Sequence, residues 1–357
     1  MRFNYLPLTL LLLNLNLSAQ PQPADAVELS SRQIALIQDQ GAAGIKTVLE
    51  ESGVSLENIA DVEAFVVQAV SSQISENGSA DNIEKITSSA MTVISEVAIS
   101  EGIKNTLAIE AVSFGVSKGI IEASLNTNLN ISETIEAASF IATVTAVNLA
   151  VEKQIDVYEI ISAVSSGSAA GAITGSFWEG IEPTDPVEAA SAGSSKGAVY
   201  ASNEAASIDV ADSVEAAAAG SAEGAVEASV EADIDLADSV EAAASGSTAG
   251  AIEASVEADI NVADSVEAAS AGSTHGVVEA ASGIGANSLI TIDVTNIDVA
   301  KTVEAASAGS AQGAVEASVE ADIDLADSVE AAASGSTAGA IEASVEADIN
   351  VADSVEA

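Results

Sequence analysis

Ten aliphatic residues recur along the chain with the regularity of a ruler: Ile103, Leu129, Ile155, Ile181, Ile208, Ile234, Ile260, Ile297, Ile323 and Ile349. Successive marks lie 26 residues apart, except for a step of 27 before Ile208 and one of 37 before Ile297. A fixed period of this size identifies a tandem-repeat protein, in which each unit buries its apolar face only against its neighbours. No single unit can fold alone.

With Ile234 as position 1, the large apolar residues of one unit are Ile234, Leu236, Val240, Ile252 and Val256, at positions 1, 3, 7, 19 and 23. The steps from 3 to 7 and from 19 to 23 are helical spacings, and alternation never extends beyond three residues, so both halves of the unit are expected to be helical. Asp235, or Asn261 in the next unit, offers an N-cap oxygen at position 2, and Asp238 or Asp264 adds negative charge in the first turn. Earlier units carry the capping-box patterns Asn130-Ile131-Ser132-Glu133 and Asp156-Val157-Tyr158-Glu159. A helix therefore starts near position 3.

Its far end is ambiguous. One unbroken helix would place positions 19 and 23 about 160° to 200° around the axis from position 3. Two short helices, broken at Gly246-Ser247 with glycine ending one and serine capping the next, would put all the apolar residues on one side. That reading gives an all-α fold of tandem 26-residue repeats forming an αα-solenoid. The alternative is an up-and-down array with one long helix per repeat. Glycine recurs in register at positions 13 and 17, as in Gly193/Gly197, Gly246/Gly250 and Gly335/Gly339, which marks a close approach of backbones.

The register changes along the chain. Residues 1–19 read as a signal peptide: Met1 and Arg2, an apolar run over 6–17, then Leu17-Ser18-Ala19. Cleavage is expected after Ala19, with Ala24-Asp25-Ala26 as a second small-residue site. The run is too short to span a bilayer. Residues 20–30 form a flexible lead, and 31–102 are degenerate N-terminal repeats expected to act as a cap. Residues 103–180 are diverged repeats with Phe114, Phe140 and Tyr158 as added core candidates. Residues 181–357 are near-identical acidic repeats interrupted by an 11-residue insertion near 284–296, read as a surface loop. The array stops mid-unit at Ala357, which reads as truncation within a repeat tract or as an open end that self-associates.

Charge narrows the partners. Nine basic residues face 55 acidic ones, for a net charge of −46. Such a surface repels nucleic-acid phosphate and anionic headgroups, so nucleic acid is not an expected partner. Acidic, alanine-rich chains can also be disordered, but the fixed register of Ile, Val and Leu argues for folded repeats. The uncharged stretch over 160–178 contains six Ser and Thr residues, too polar for a membrane span in the mature chain. Cysteine is absent, which removes disulfides and thiolate chemistry.

Chemistry is sparse. His275 is the chain's one histidine and stands at position 16, where other units carry Glu223, Ala249 or Gln312, so it reads as a solvent-facing variable position. No nucleophile–base pair or phosphate loop is evident, and the chain reads as a non-enzyme. The carboxylates Asp233, Asp235, Asp238, Asp259, Asp264, Asp322, Asp324 and Asp327 recur at each unit boundary. Stacked turns would align them into a ladder that calcium could bridge, although capping and solvation explain them as well. The expected role is an exported, non-catalytic structural protein at the cell surface, periplasm or outside the cell. It would act as a spacer, matrix or adhesive element, with binding of a divalent cation, mineral or ice lattice as the alternative.

Overall fold

The computed structural model describes residues 29–347 apart from 56–57, 78–79, 102, 126, 128, 206 and 284–296. The expected signal peptide, most of the lead and the insertion lie outside the described residues. Helices account for nearly all of the rest: α1 (Ser31–Gln40), α2 (Ala42–Ser52), α3 (Ile59–Asn77), α4 (Ala80–Glu101), α5 (Asn105–Ser124), α6 (Ile131–Lys153) and α7 (Val157–Glu179). They continue with α8 (Thr184–Glu204), α9 (Val210–Ala232), α10 (Leu236–Glu257), α11 (Val262–Ser282), α12 (Val299–Glu320) and α13 (Leu325–Glu346).

The all-α repeat solenoid is what the chain forms, with one long helix per 26-residue unit. The break anticipated at Gly246-Ser247 does not occur: α10 runs through both residues. Short connections such as Asp233–Asp235 turn the chain back, so consecutive helices form an up-and-down array. From α3 onward each helix packs most extensively on the one two places along, α7 on α9 and α9 on α11, and less on its sequence neighbour, whereas α1 and α2 pack mainly on each other. Helices of odd and even number thus form two layers, and one αα hairpin of the solenoid takes two sequence repeats.

This arrangement resolves the ambiguity of the apolar pattern. A helix in such a stack touches a neighbour on each side within its layer and the opposite layer as well, so apolar residues on several sides are all used. In α10, Val240, Ala244, Ser247, Ala251, Ile252 and Ser255 are completely buried. Most are small, because the backbones come very close.

The glycines set that distance. A Cβ on Gly246 would lie 2.1 Å from the carbonyl oxygen of Glu188, and one on Gly250 would lie 2.4 Å from that of Ala192, both on α8. The same pair of contacts joins Gly167 and Gly171 to Glu110 and Phe114, Gly220 and Gly224 to Ser162 and Ser166, and Gly272 and Gly276 to Glu215 and Ala219. From Gly167 onward, position 13 rests on the carbonyl at position 8, and position 17 on or beside that at position 12, of the helix two units earlier, whereas Gly115 meets the Val66 side chain first. Backbones at this separation gain Cα–H···O contacts and dispersion that a side chain would block.

The Ile ruler has a cause in the turns. The amide of Ile234 donates to the carbonyl of Ser229 (3.1 Å), as Ile155 does to Ala150, Ile181 to Ser176, Ile260 to Ser255 and Ile323 to Ser318. This is the helix-ending bond in which a residue two or three past the helix satisfies an orphan carbonyl, and an apolar residue belongs there. The residue between takes left-handed backbone, with φ of 55°, 54° and 55° at Asp233, Asp259 and Asp322. Each next helix opens on an acidic or amide cap: Asp235 accepts from the Ala237 amide (3.0 Å), Asn261 from Ala263 (3.1 Å) and Asp324 from Ala326 (2.9 Å). Of the two capping-box patterns, Asp156 accepts from Tyr158 and Glu159, whereas the Asn130 side chain makes no capping bond.

Serines tie the layers together. Ser202 Oγ donates to Ser213 Oγ (2.7 Å), which donates to the Asp209 carbonyl (2.8 Å). Ser255, Ser265 and Asn261 repeat this relay two units on. Of the expected aromatic core residues, Phe114 is buried, while Phe140 is partly exposed and tilts against Tyr200 with ring centroids 5.7 Å apart. Tyr158 is also partly exposed and accepts at its hydroxyl from the Asp209 amide (3.3 Å). Helices α6 and α7 are long and apolar enough to cross a membrane; 56% and 83% of their apolar windows are buried against other helices.

Candidate functional site

The boundary carboxylates occupy three kinds of place. Asp233, Asp259 and Asp322 hold the left-handed turns, Asp235 and Asp324 cap helices, and Asp238, Asp264 and Asp327 stand in first turns. All eight are exposed. None of them belongs to the group of three potential metal ligands that the fold gathers within 4.8 Å of one another. That group lies on the helix flanks instead.

Its geometry follows from the stacking register. Position 8 of one helix, position 16 of the helix two units later and position 20 of the helix four units later meet along the flank of a layer. In the even layer the three are Glu136 on α6, Lys196 on α8 and Glu253 on α10, and the Lys196 ammonium hydrogen-bonds both carboxylates. Burial works against its charge, but the bonds to Glu136 and Glu253 outweigh this and raise its pKa. In the odd layer the corresponding residues are Glu215 on α9, His275 on α11 and Glu342 on α13. His275 Nε2 also lies 3.5 Å from Glu279 Oε1, one turn along α11.

Where Ala170 or Glu223 takes the place of the cation, the column is acidic alone. Glu110 on α5 faces Glu227 on α9 across Ala170, and both glutamates are buried. Glu110 Oε1 accepts from Ser166 Oγ (3.0 Å), while its Oε2 is buried without a hydrogen bond. Burial first and then the Glu227 charge hold the Glu110 carboxyl well above the ordinary carboxylate range, with the Ser166 bond opposing them. Glu223, at position 16 of α9, is raised to about 7 by burial and by Glu279. Glu63 on α3 is also raised to about 7 by burial, partly offset by Lys118 and reinforced by Glu231. Glu188 on α8 is raised by burial against the pull of its Ser245 bond, with Glu316 on α12 adding repulsion. Glu215 is raised by burial and Glu342, and His275 counters them. Such a column can hold protons, an ammonium or a metal cation.

The expectation of a solvent-facing His275 is therefore corrected: its side chain is 18% exposed and belongs to the acidic cluster. Sequence reasoning missed this column because its members lie up to 127 residues apart, from Glu215 to Glu342. The one available signal was the exchange of Lys118, Lys196, Glu223 and His275 at a single position of the unit. Compared with known proteins, the chain matches no family model and no curated protein.

Proposed function

We propose that the chain is an exported, non-catalytic structural element, a helical solenoid that serves as a spacer, matrix or adhesive component. One observation carries this reading: the glycine–carbonyl contact recurs between every second helix from α5 to α13, so units can be added without inventing a new interface. Length is then the property most easily varied. The apolar start over 1–19 supports export, the absence of cysteine suits a solenoid held by stacking alone, and α1 to α4 occupy the stretch expected to cap it. Strong, one-signed surface charge keeps such arrays soluble and apart from one another.

The test is to insert or delete one two-unit segment of 52 residues, such as 208–259, and measure the maximum dimension in solution by small-angle X-ray scattering. Each added hairpin should lengthen the particle by about one helix spacing, 8–10 Å, with unchanged helical content per residue. An unchanged dimension, or loss of helical signal on insertion, would refute the extensible solenoid.

The exposed Asp rows at successive turns favour one second reading, contact with a periodic solid or with calcium. Inhibition of mineral or ice crystal growth by the purified chain, lost when Asp235 and Asp324 are changed to Asn, would support it.

A further inference from the structure

Lys196 and His275 occupy equivalent places in the two layers. Each directly precedes the second glycine of its helix, Gly197 or Gly276. Each faces the glutamate whose backbone carbonyl lies under the first glycine, Glu136 beneath Gly193 and Glu215 beneath Gly272. Each also faces the glutamate three residues past the second glycine of the following helix in its layer, Glu253 after Gly250 and Glu342 after Gly339. In the even layer the position between the two carboxylates is filled by an ammonium ion. In the odd layer it is bordered by an imidazole, whose ring nitrogen is a common metal ligand.

We propose that Glu215, His275 and Glu342 bind one divalent transition-metal ion, with the metal taking the place that the Lys196 ammonium holds in the neighbouring layer. Their ligand atoms already lie within 4.8 Å of one another. Bound zinc would hold each of them at about 2.0–2.2 Å, and small side-chain rotations suffice to close the remaining distance. One imidazole nitrogen with two carboxylate oxygens suits zinc and its first-row neighbours better than calcium, which prefers an all-oxygen shell. Glu342 is exposed, so water can complete the coordination from that side. The backbone beneath is fixed by four glycine contacts, Gly272 and Gly276 on α9 and Gly335 and Gly339 on α11. A rigid scaffold of this kind is what a preformed metal site requires. Glu279, beside the imidazole, adds negative charge that a dication would balance. By joining α9, α11 and α13, the metal would clamp three successive helices of one layer.

The test is titration of the full chain with zinc chloride by calorimetry, and with cobalt chloride by visible absorption, for the native chain and three variants. A single saturable site with tetrahedral cobalt bands is expected. His275→Ala and Glu342→Gln should each weaken it about 10–100-fold. His275→Lys should abolish it while keeping the helical signal, because lysine recreates the Lys196 bridge. Calcium should bind far more weakly and without dependence on His275. Equal zinc binding by the native chain and His275→Lys, or by the native chain and Glu342→Gln, would overturn the proposal and reduce the binding to diffuse attraction by surface carboxylates. Should His275→Lys lose its fold, the exposed Glu342→Gln decides the matter alone.

Discussion

Gly246 of α10 lies directly against the carbonyl oxygen of Glu188 on α8, so close that a methyl group at Gly246 would stand 2.1 Å from that oxygen. Mid-helix glycine normally costs about 1 kcal/mol relative to alanine, and on that ground alone Gly246→Ala would stabilise the protein. The contact reverses the sign. The obstacle is backbone, so the helices must separate, and overpacking of this kind costs about 1–3 kcal/mol. Thermal unfolding of Gly246→Ala and Gly250→Ala should show lower melting temperatures than the native chain. A rise in either would mean that the layers are not in this contact.

The left-handed turns offer the opposite outcome. Asp233 and Asp322 adopt φ of 55°, which glycine takes without steric penalty, and their negative charges sit at helix C-termini where the macrodipole disfavours them. Asp233→Gly and Asp322→Gly should each stabilise the chain by about 0.5–1 kcal/mol in chemical denaturation, while Asp233→Ala should not.

Lys196 neutralises a pair of carboxylates from two other helices. Lys196→Met keeps the length of the side chain but leaves Glu136 and Glu253 facing each other. The three side chains are partly solvated, so the loss should be about 1 kcal/mol. It should shrink in high salt, which screens the exposed repulsion. A loss of the same size at all salt concentrations would assign it to packing.

The acidic column makes stability depend on pH. Glu63 and Glu110 have folded-state pKa values above those of an unfolded chain, so the folded state binds protons more tightly. Their favourable contribution is complete below the unfolded value of 4.5 and is lost as pH rises through about 7 for Glu63. The shift at Glu63 corresponds to up to about 3 kcal/mol. The melting temperature should therefore be higher at pH 5.5 than at pH 8. Glu110→Gln, which needs no proton to remain neutral beside Glu227, should raise it at pH 8 and flatten the profile.

Much of this protein was legible before its structure. The 26-residue period, the apolar pairs at helical spacing and the glycines in register set the repeat length, the helical class and the start of each helix, because all three depend on contacts within a unit or on local backbone chemistry. Asp235 as a cap was readable for the same reason: its oxygen meets the Ala237 amide two residues on. Whether α10 continued through Gly246 was not readable. A glycine that ends a helix and a glycine that admits a neighbouring backbone are the same letter, and only the carbonyl of Glu188, 58 residues away, distinguishes them. Pairing each helix with the one two units along is likewise a tertiary fact, and it alone brings Glu215, His275 and Glu342 together. The sequence by itself determined the unit, since a unit is made of local bonds; the stacking of the layers decided where charge is buried, because burial depends on which distant surface arrives.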